Sequence, residues 1–204
     1  MPVLTIIAGP NGAGKSSNSK DLLAEWNIEA FDFDKAFYNF WSHVDFDPGV
    51  EEGAFDRALN HYDDLKTDAL EKGRDFAFES NYHTRQIFST LDQFKSKGYL
   101  LRLLFIFLDN VETAKDRVDD RFLKGGHWVD YDTVQYRFDR GLELLDESFD
   151  RYDEVYLFQS MDYATDGIAV LNPQFKNVAL VMPIPSTLQS RLPRLQDFIS
   201  RNSW

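Results

Sequence analysis

Gly9-Pro10-Asn11-Gly12-Ala13-Gly14-Lys15-Ser16 fits the phosphate-binding loop pattern G-x-x-x-x-G-K-S/T at every fixed position. Upstream, Val3-Leu4-Thr5-Ile6-Ile7-Ala8 is an apolar run of the kind that forms a buried parallel strand. Downstream, Ser17-Asn18-Ser19-Lys20-Asp21-Leu22-Leu23-Ala24 reads as a helix. That order of strand, loop and helix separates a working loop from a chance match. Glycines let backbone N–H groups turn inward around an oxyanion, and the helix N-terminus adds the positive end of its dipole. Residues 9 to 17 are therefore predicted to cradle the phosphates of a nucleoside triphosphate, with ATP the expected ligand. Lys15 would reach the β- and γ-phosphates, and the Ser16 hydroxyl would bind Mg²⁺.

Working outward, 204 residues suit one domain with a proper core, so a single domain over 1–204 is expected. There is no cysteine, which rules out disulfide staples, a thiol nucleophile and a thiolate metal site. The formal charge of -12 makes a long nucleic acid a poor partner, because a polyanion is repelled by such a surface. The apolar start runs straight into the loop, so no secretory signal is expected. No apolar run approaches the ~18 residues that span a bilayer, and the expected location is the cytoplasm.

Strand and helix patterns then alternate. Glu29-Ala30-Phe31-Asp32-Phe33-Asp34 alternates apolar and acidic residues, as a strand with a chemically active end would. A helical pattern from Val50 to Lys72 stops at Gly73, and Asp75 to Ser80 is a short strand. A helix from about Thr84 to Lys97 precedes Tyr99 to Leu108, the most hydrophobic run in the chain and a central strand. Helices follow from Glu112 to about Lys124 and from about Tyr131 to Leu145, then a strand over Glu154 to Phe158. The alternation predicts an α/β fold with helices on both faces of a mainly parallel sheet of about five strands. Residues 167–171 and 177–181 should form an antiparallel hairpin on the sheet edge, closed by a helix from roughly Leu192 to Arg201. Residues 1–160 are thus the core, and 161–204 an appendage.

In such a sheet, ligands bind beyond the carboxyl ends of the strands. That rule selects Asp32 and Asp34, Glu79 with Ser80, and Asp109. Asp34, nearest the mouth, suits a general base that takes a proton from a substrate hydroxyl. Capping the next helix, or flanking a Mg²⁺ water, is the alternative for both aspartates. Glu79 ends an apolar strand, where a charge needs a substrate or a neighbouring loop as partner. Asp109 ends a strand as a metal-binding acid does, yet Glu112 three residues on favours a capping box. Arg117 with Arg121, and Arg137 with Arg140, mark faces of two helices joined by Lys124-Gly125-Gly126-His127. Two arginine-bearing helices around a glycine hinge suit a lid that neutralises a transferring phosphoryl group. Pairing with Asp116, Asp119, Asp120 and Asp139 is the competing reading. His127 fits a lid contact better than a metal ligand, since no second ligand stands at the right spacing.

Several motifs come in a family order: the loop at 8–16, Asp32-Phe33-Asp34, Phe76 to Ser80, Arg117-Val118-x-x-Arg121-x-x-Lys124-Gly125-Gly126-His127-x-Val129, and Arg137-Phe138-x-Arg140. Together they resemble the zeta toxin-like kinases of bacteria, over roughly residues 3 to 160. The resemblance implies a fold close to adenylate and shikimate kinases and an ATP- and Mg²⁺-dependent phosphotransferase acting on a small-molecule hydroxyl. Characterised zeta toxins phosphorylate the sugar 3′-hydroxyl of UDP-N-acetylglucosamine and are held inactive by an antitoxin that obstructs the nucleotide site. By motif position Asp34 would be the base and Glu79 a substrate-binding acid. Arg137, Arg140 and Arg121 would clamp the phosphates, and His127 would contact the substrate from the lid.

Overall fold

The computed structural model describes residues 1–41, 48–124, 126, 128–161 and 165–203, with the backbone alone for residues 48–51. Strand β1 (Val3–Ala8) leads through the glycine loop into α1 (Lys15–Leu22), followed by α2 (Phe33–Trp41) and α3 (Pro48–Lys72). Next come β2 (Phe76–Ser80), α4 (Gln86–Ser96), β3 (Leu100–Phe107), α5 (Val111–Leu123), α6 (Tyr131–Ser148) and β4 (Glu154–Ser160). The chain closes with β5 (Thr165–Asn172), β6 (Asn177–Leu180), α7 (Ser186–Gln189) and α8 (Pro193–Asn202).

One sheet runs in the order β2-β1-β3-β4-β5-β6. The first four strands are parallel; β5 and β6 add antiparallel on one side, as the hairpin pattern predicts. The α/β class expected from the alternation is therefore the one that forms. Parallel strands covered on both faces need apolar side chains throughout. Every residue of β3 after Leu100 is buried, and so is every residue of β1 after Val3.

Within β3, Arg102 is the exception, and it is buried with partners. Its Nε donates to Glu154 Oε2 at 2.7 Å, and its guanidinium lies 3.9 Å from the centre of the Trp26 ring. The registers matter most for function. Ala8 stands opposite Ser80 on one side and Phe105 on the other, so β1, β2 and β3 deliver their carboxyl ends to the same rim.

Two local expectations are corrected. Residues 29–34 do not form a strand: Phe31 makes a single parallel bridge to Phe78, and α2 already begins at Phe33. The cause is Asp32, whose Oδ1 accepts from the Lys35 N–H at 3.0 Å and so favours helix initiation over further pairing. Asp32 and Asp34 thus stand at the start of a helix and not at the end of a strand. At the start of α5 the cap is Asn110, not Asp109; its Oδ1 accepts from the Thr113 N–H at 2.9 Å. Among the described residues, no helix is long and apolar enough to cross a membrane.

Candidate active site

The loop takes its shape from close approach. A Cβ on Gly9, at φ 150°, would sit 2.5 Å from the carbonyl oxygen of Ile106, so the loop leaves β1 pressed against β3. Gly14 caps α1 in the left-handed region at φ 82°, which turns the chain so that the helix starts at Lys15. Pro10, Asn11 and Ala13 are buried under the turn, and the Ala13 N–H donates to Pro10 O at 3.2 Å. Asn18 Nδ2 donates to Gly14 O at 2.7 Å and ties the helix back to its own entry. Ser16 and Ser17 occupy the exposed first turn, where helical N–H groups lack intrahelical acceptors.

Lys15 is held at three points. Its Nζ donates to Gly9 O at 2.9 Å, Pro10 O at 3.0 Å and Asn81 Oδ1 at 2.9 Å. Burial lowers its pKa to about 8, against the attraction of Glu79, Asp34 and Asp32, while Arg121 pushes in the same direction as burial. Four sequence-selected charges are therefore close enough to act on one ammonium. Glu79 accepts from Ser16 Oγ at 2.7 Å. Burial raises the Glu79 carboxyl above its ordinary range, with the Ser16 hydrogen bond opposing.

Asp34 is exposed in the first turn of α2. It lines a cavity of about 300 Å³ with Trp128, Val129, Asp130, Thr133 and Arg137. Arg137, from α6, donates to Asn11 Oδ1 at 3.3 Å, so it joins that cavity to the phosphate loop. Arg140 instead pairs with Glu143 on its own helix. Arg121 lies near Lys15, and its carbonyl accepts from the Gly126 N–H at 2.9 Å. A Cβ on Gly126 would fall 2.6 Å from Arg121 Cγ, so the chain leaves α5 folded tightly over that arginine. Arg117 is a strut: it donates to Gly12 O at 3.2 Å, Ser160 Oγ at 2.6 Å and Met161 O at 3.1 Å. His127 and Gly125 lie outside the described residues. Asp109 is exposed and accepts from Gln159 Nε2 at 2.6 Å.

Sequence reasoning passed over Asn81, His83 and Trp128. Asn81 and His83 flank Tyr82, which has a left-handed backbone at φ 53°. The buried Tyr82 hydroxyl meets Ser148 Oγ at 2.8 Å and the Tyr152 hydroxyl at 2.9 Å. That anchor fixes the turn after β2 and presents its neighbours to the site. Burial lowers the His83 pKa, the charges of Arg137 and Lys15 lower it further, and its ring packs edge-on to Tyr136 of α6.

The sheet, the glycine loop and the arginine-bearing helices above it define a P-loop kinase fold. Solved structures of a toxin–antitoxin system and of a kinase share this fold. No protein-family model matches the chain, and no curated protein matches it by sequence. Solved structures do. A chain of the AvrRxo1-ORF1:AvrRxo1-ORF2 complex with sulphate ions matches with TM-score 0.69 at 15% identity, over 94% of this chain and 63% of that one. A chain of the PezAT chromosomal toxin–antitoxin system of Streptococcus pneumoniae matches with TM-score 0.61 at 16% identity, over 98% and 88%. A putative kinase from Chloroflexus aurantiacus matches with TM-score 0.51 at 16% identity, over 61% and 69%. This chain therefore spans under two thirds of the first of these. At such identities the likeness is one of fold.

Proposed function

We propose that this chain is an ATP- and Mg²⁺-dependent kinase that moves the γ-phosphate of ATP to a hydroxyl of a small molecule. The observation that carries the reading is the bridge from Asp34 to the loop: Asp34 and Arg137 line one cavity, and Arg137 bonds Asn11 of the phosphate loop. An acceptor in that cavity has a carboxylate beside it on one side and phosphate-binding groups on the other. Asp34 takes the proton of the attacking hydroxyl. Lys15 and the N–H groups of residues 12–17 hold the donor phosphates, while Arg137 and Arg121 offset charge as the phosphoryl group moves. Mg²⁺, when bound with the nucleotide, supplies further neutralisation of the β- and γ-oxygens. Residues 1–160 carry this chemistry and 161–204 support it, in one domain.

The AvrRxo1-ORF1:-ORF2 complex, a structural neighbour of this chain, was also solved with ATP, which supports nucleotide binding here. A nucleotide sugar such as UDP-N-acetylglucosamine is the acceptor to try first. Incubating a bacterial small-molecule pool with the protein and ATP, followed by mass spectrometry, tests the reading. A compound gaining one phosphate supports it; no gain, with ATP bound but unconsumed, overturns it.

A second reading has its own observation. PezAT is a toxin–antitoxin system, and the AvrRxo1 neighbours were solved as two-component complexes. An antitoxin that covers the nucleotide site is the partner this suggests. Co-expression with adjacent small reading frames, scored by a stable complex that blocks ATP binding, checks it.

A further inference from the structure

Two acids stand at the ends of the strands that flank β1, and either position suits the carboxylate that assists a P-loop serine at a metal. In P-loop NTPases that acid shares the Mg²⁺ with the loop hydroxyl. Their surroundings here differ. The Asp109 carboxylate accepts from Gln159 Nε2 at 2.6 Å, and its carbonyl accepts from Thr187 Oγ1 at 2.8 Å. Those partners come from β4 and from α7, and Ser16 is not among them. Glu79 stands opposite Ile7, one residue before Ala8 meets Ser80, and so lies beside the base of the loop. Its Oε2 accepts the Ser16 hydroxyl proton at 2.7 Å.

We infer that Glu79, not Asp109, is the carboxylate that works with Ser16 at the Mg²⁺ site; this rests on the kinase reading above. The donor set fits the ion. Mg²⁺ takes hard oxygens, commonly one or two carboxylates or hydroxyls together with substrate phosphates and retained waters. A hydroxyl that gives its proton to a carboxylate keeps its lone pairs for a cation and becomes a better ligand. Glu79 therefore orients Ser16 and adds a negative charge beside it. Asp32 lies near enough for its charge to act on Glu79, so a divalent cation would also relieve repulsion between the two acids. The Asp32 carboxylate is engaged with the Lys35 N–H as the cap of α2, which leaves Glu79 as the acid in contact with Ser16. Glu79 thereby belongs to the metal side of the site and not to the acceptor.

The test is calorimetric titration of ATP into wild type, Glu79→Gln and Asp109→Asn, each in EDTA and in Mg²⁺. Glu79→Gln is expected to lose roughly 10–100-fold in the affinity of the ATP complex for Mg²⁺, read as the gain in ATP affinity from EDTA to Mg²⁺. Asp109→Asn is expected to match wild type in both buffers. An unchanged Mg²⁺ gain in Glu79→Gln, or a loss confined to Asp109→Asn, overturns the assignment while leaving the kinase reading intact. Wild type that binds no ATP in either buffer overturns the kinase reading and this inference with it. Circular dichroism checks folding; if Glu79→Gln does not fold, Glu79→Asp takes its place. Its side chain is one methylene shorter and withdraws from Ser16, and the same loss of Mg²⁺ gain is expected.

Discussion

Asn81 Oδ1 accepts from Lys15 Nζ at 2.9 Å, which links the turn after β2 to the phosphate loop. The other two acceptors of Lys15 are carbonyls of the loop itself, Gly9 and Pro10. Asn81 is thus the contact that draws the ammonium toward the mouth and away from its own backbone. Asn81→Ala should let Lys15 settle onto those carbonyls, which ATP must then displace. The expected effect is an ATP affinity lower by about tenfold, within the range for one hydrogen bond to a charged group. Asn81→Asp keeps an acceptor but adds a negative charge beside Lys15 and the phosphates, so its ATP affinity should fall at least as far as that of Asn81→Ala in the same titration.

Asp34 is exposed at the start of α2 and faces the cavity shared with Arg137. It makes none of the loop's internal contacts that hold Lys15 or Ser16. Asp34→Asn should therefore lower phosphotransfer by roughly 10²–10⁴-fold, the usual worth of a general base, and leave ATP affinity within about twofold. Single-turnover kinetics beside nucleotide titration separates the two. Phosphotransfer at the wild-type rate would remove Asp34 from the base role.

Gly9 is fixed by backbone and not by a flexible side chain. Its φ of 150° is strained for an L-residue, and an added Cβ would lie 2.5 Å from Ile106 O in the middle of the sheet. Gly9→Ala should displace the loop, destabilise the fold by about 2 kcal/mol or more, and weaken ATP binding more than tenfold. Urea unfolding and nucleotide titration check both.

The parts legible in the sequence were those set by short-range constraints. The glycine pattern imposes its own backbone, and apolar runs such as Leu103-Leu104-Phe105-Ile106-Phe107 admit few alternatives to a buried strand. The Ala30-to-Asp34 alternation was misleading because Asp32 serves a helix start as readily as a strand end, and pairing beyond Phe31 decided the outcome. Asp109 and Asn110 are adjacent, similar in shape, and separated only by which side chain points back at the Thr113 N–H. Asn81 and His83 were illegible for another reason. Their placement depends on Tyr82, whose partners Ser148 and Tyr152 lie 66 and 70 residues away. Of the two arginines on α6, Arg137 reaches the loop while Arg140 pairs with Glu143, a division that helix spacing alone does not make.

Arg102 and Glu154 face one another across β3 and β4, with side-chain exposures of 9% and 25%. Arg102→Ala would leave Glu154 without its partner and remove the cation from the Trp26 ring. Breaking a largely buried pair from one side is expected to cost about 3 kcal/mol, seen as a lower urea midpoint. Arg102→Met with Glu154→Leu removes both charges and should recover most of that loss. Recovery by the double variant, absent from either single one, would identify an unpaired charge as the cause.

The Tyr82–Tyr152 contact sets a limit at high pH. Both rings are almost fully buried, and their hydroxyls lie 2.9 Å apart. Burial pushes Tyr82 up to about 12, and it pushes Tyr152 well above the ordinary tyrosine value, with the neighbouring Tyr82 adding to the effect. In the unfolded chain both ionise near pH 10. The sign follows: below pH 10 both states keep these protons and stability is unaffected, whereas above it the unfolded state releases them first. Each group then lowers stability by about 1.4 kcal/mol per pH unit until the folded pKa is reached. Between pH 9 and pH 11, wild type should lose about 3 kcal/mol more than a Tyr82→Phe, Tyr152→Phe variant in urea unfolding. The same variant loosens the turn that carries Asn81, so its ATP affinity at neutral pH should fall toward that of Asn81→Ala. Parallel loss of stability with pH in both proteins would assign the alkaline transition to other groups.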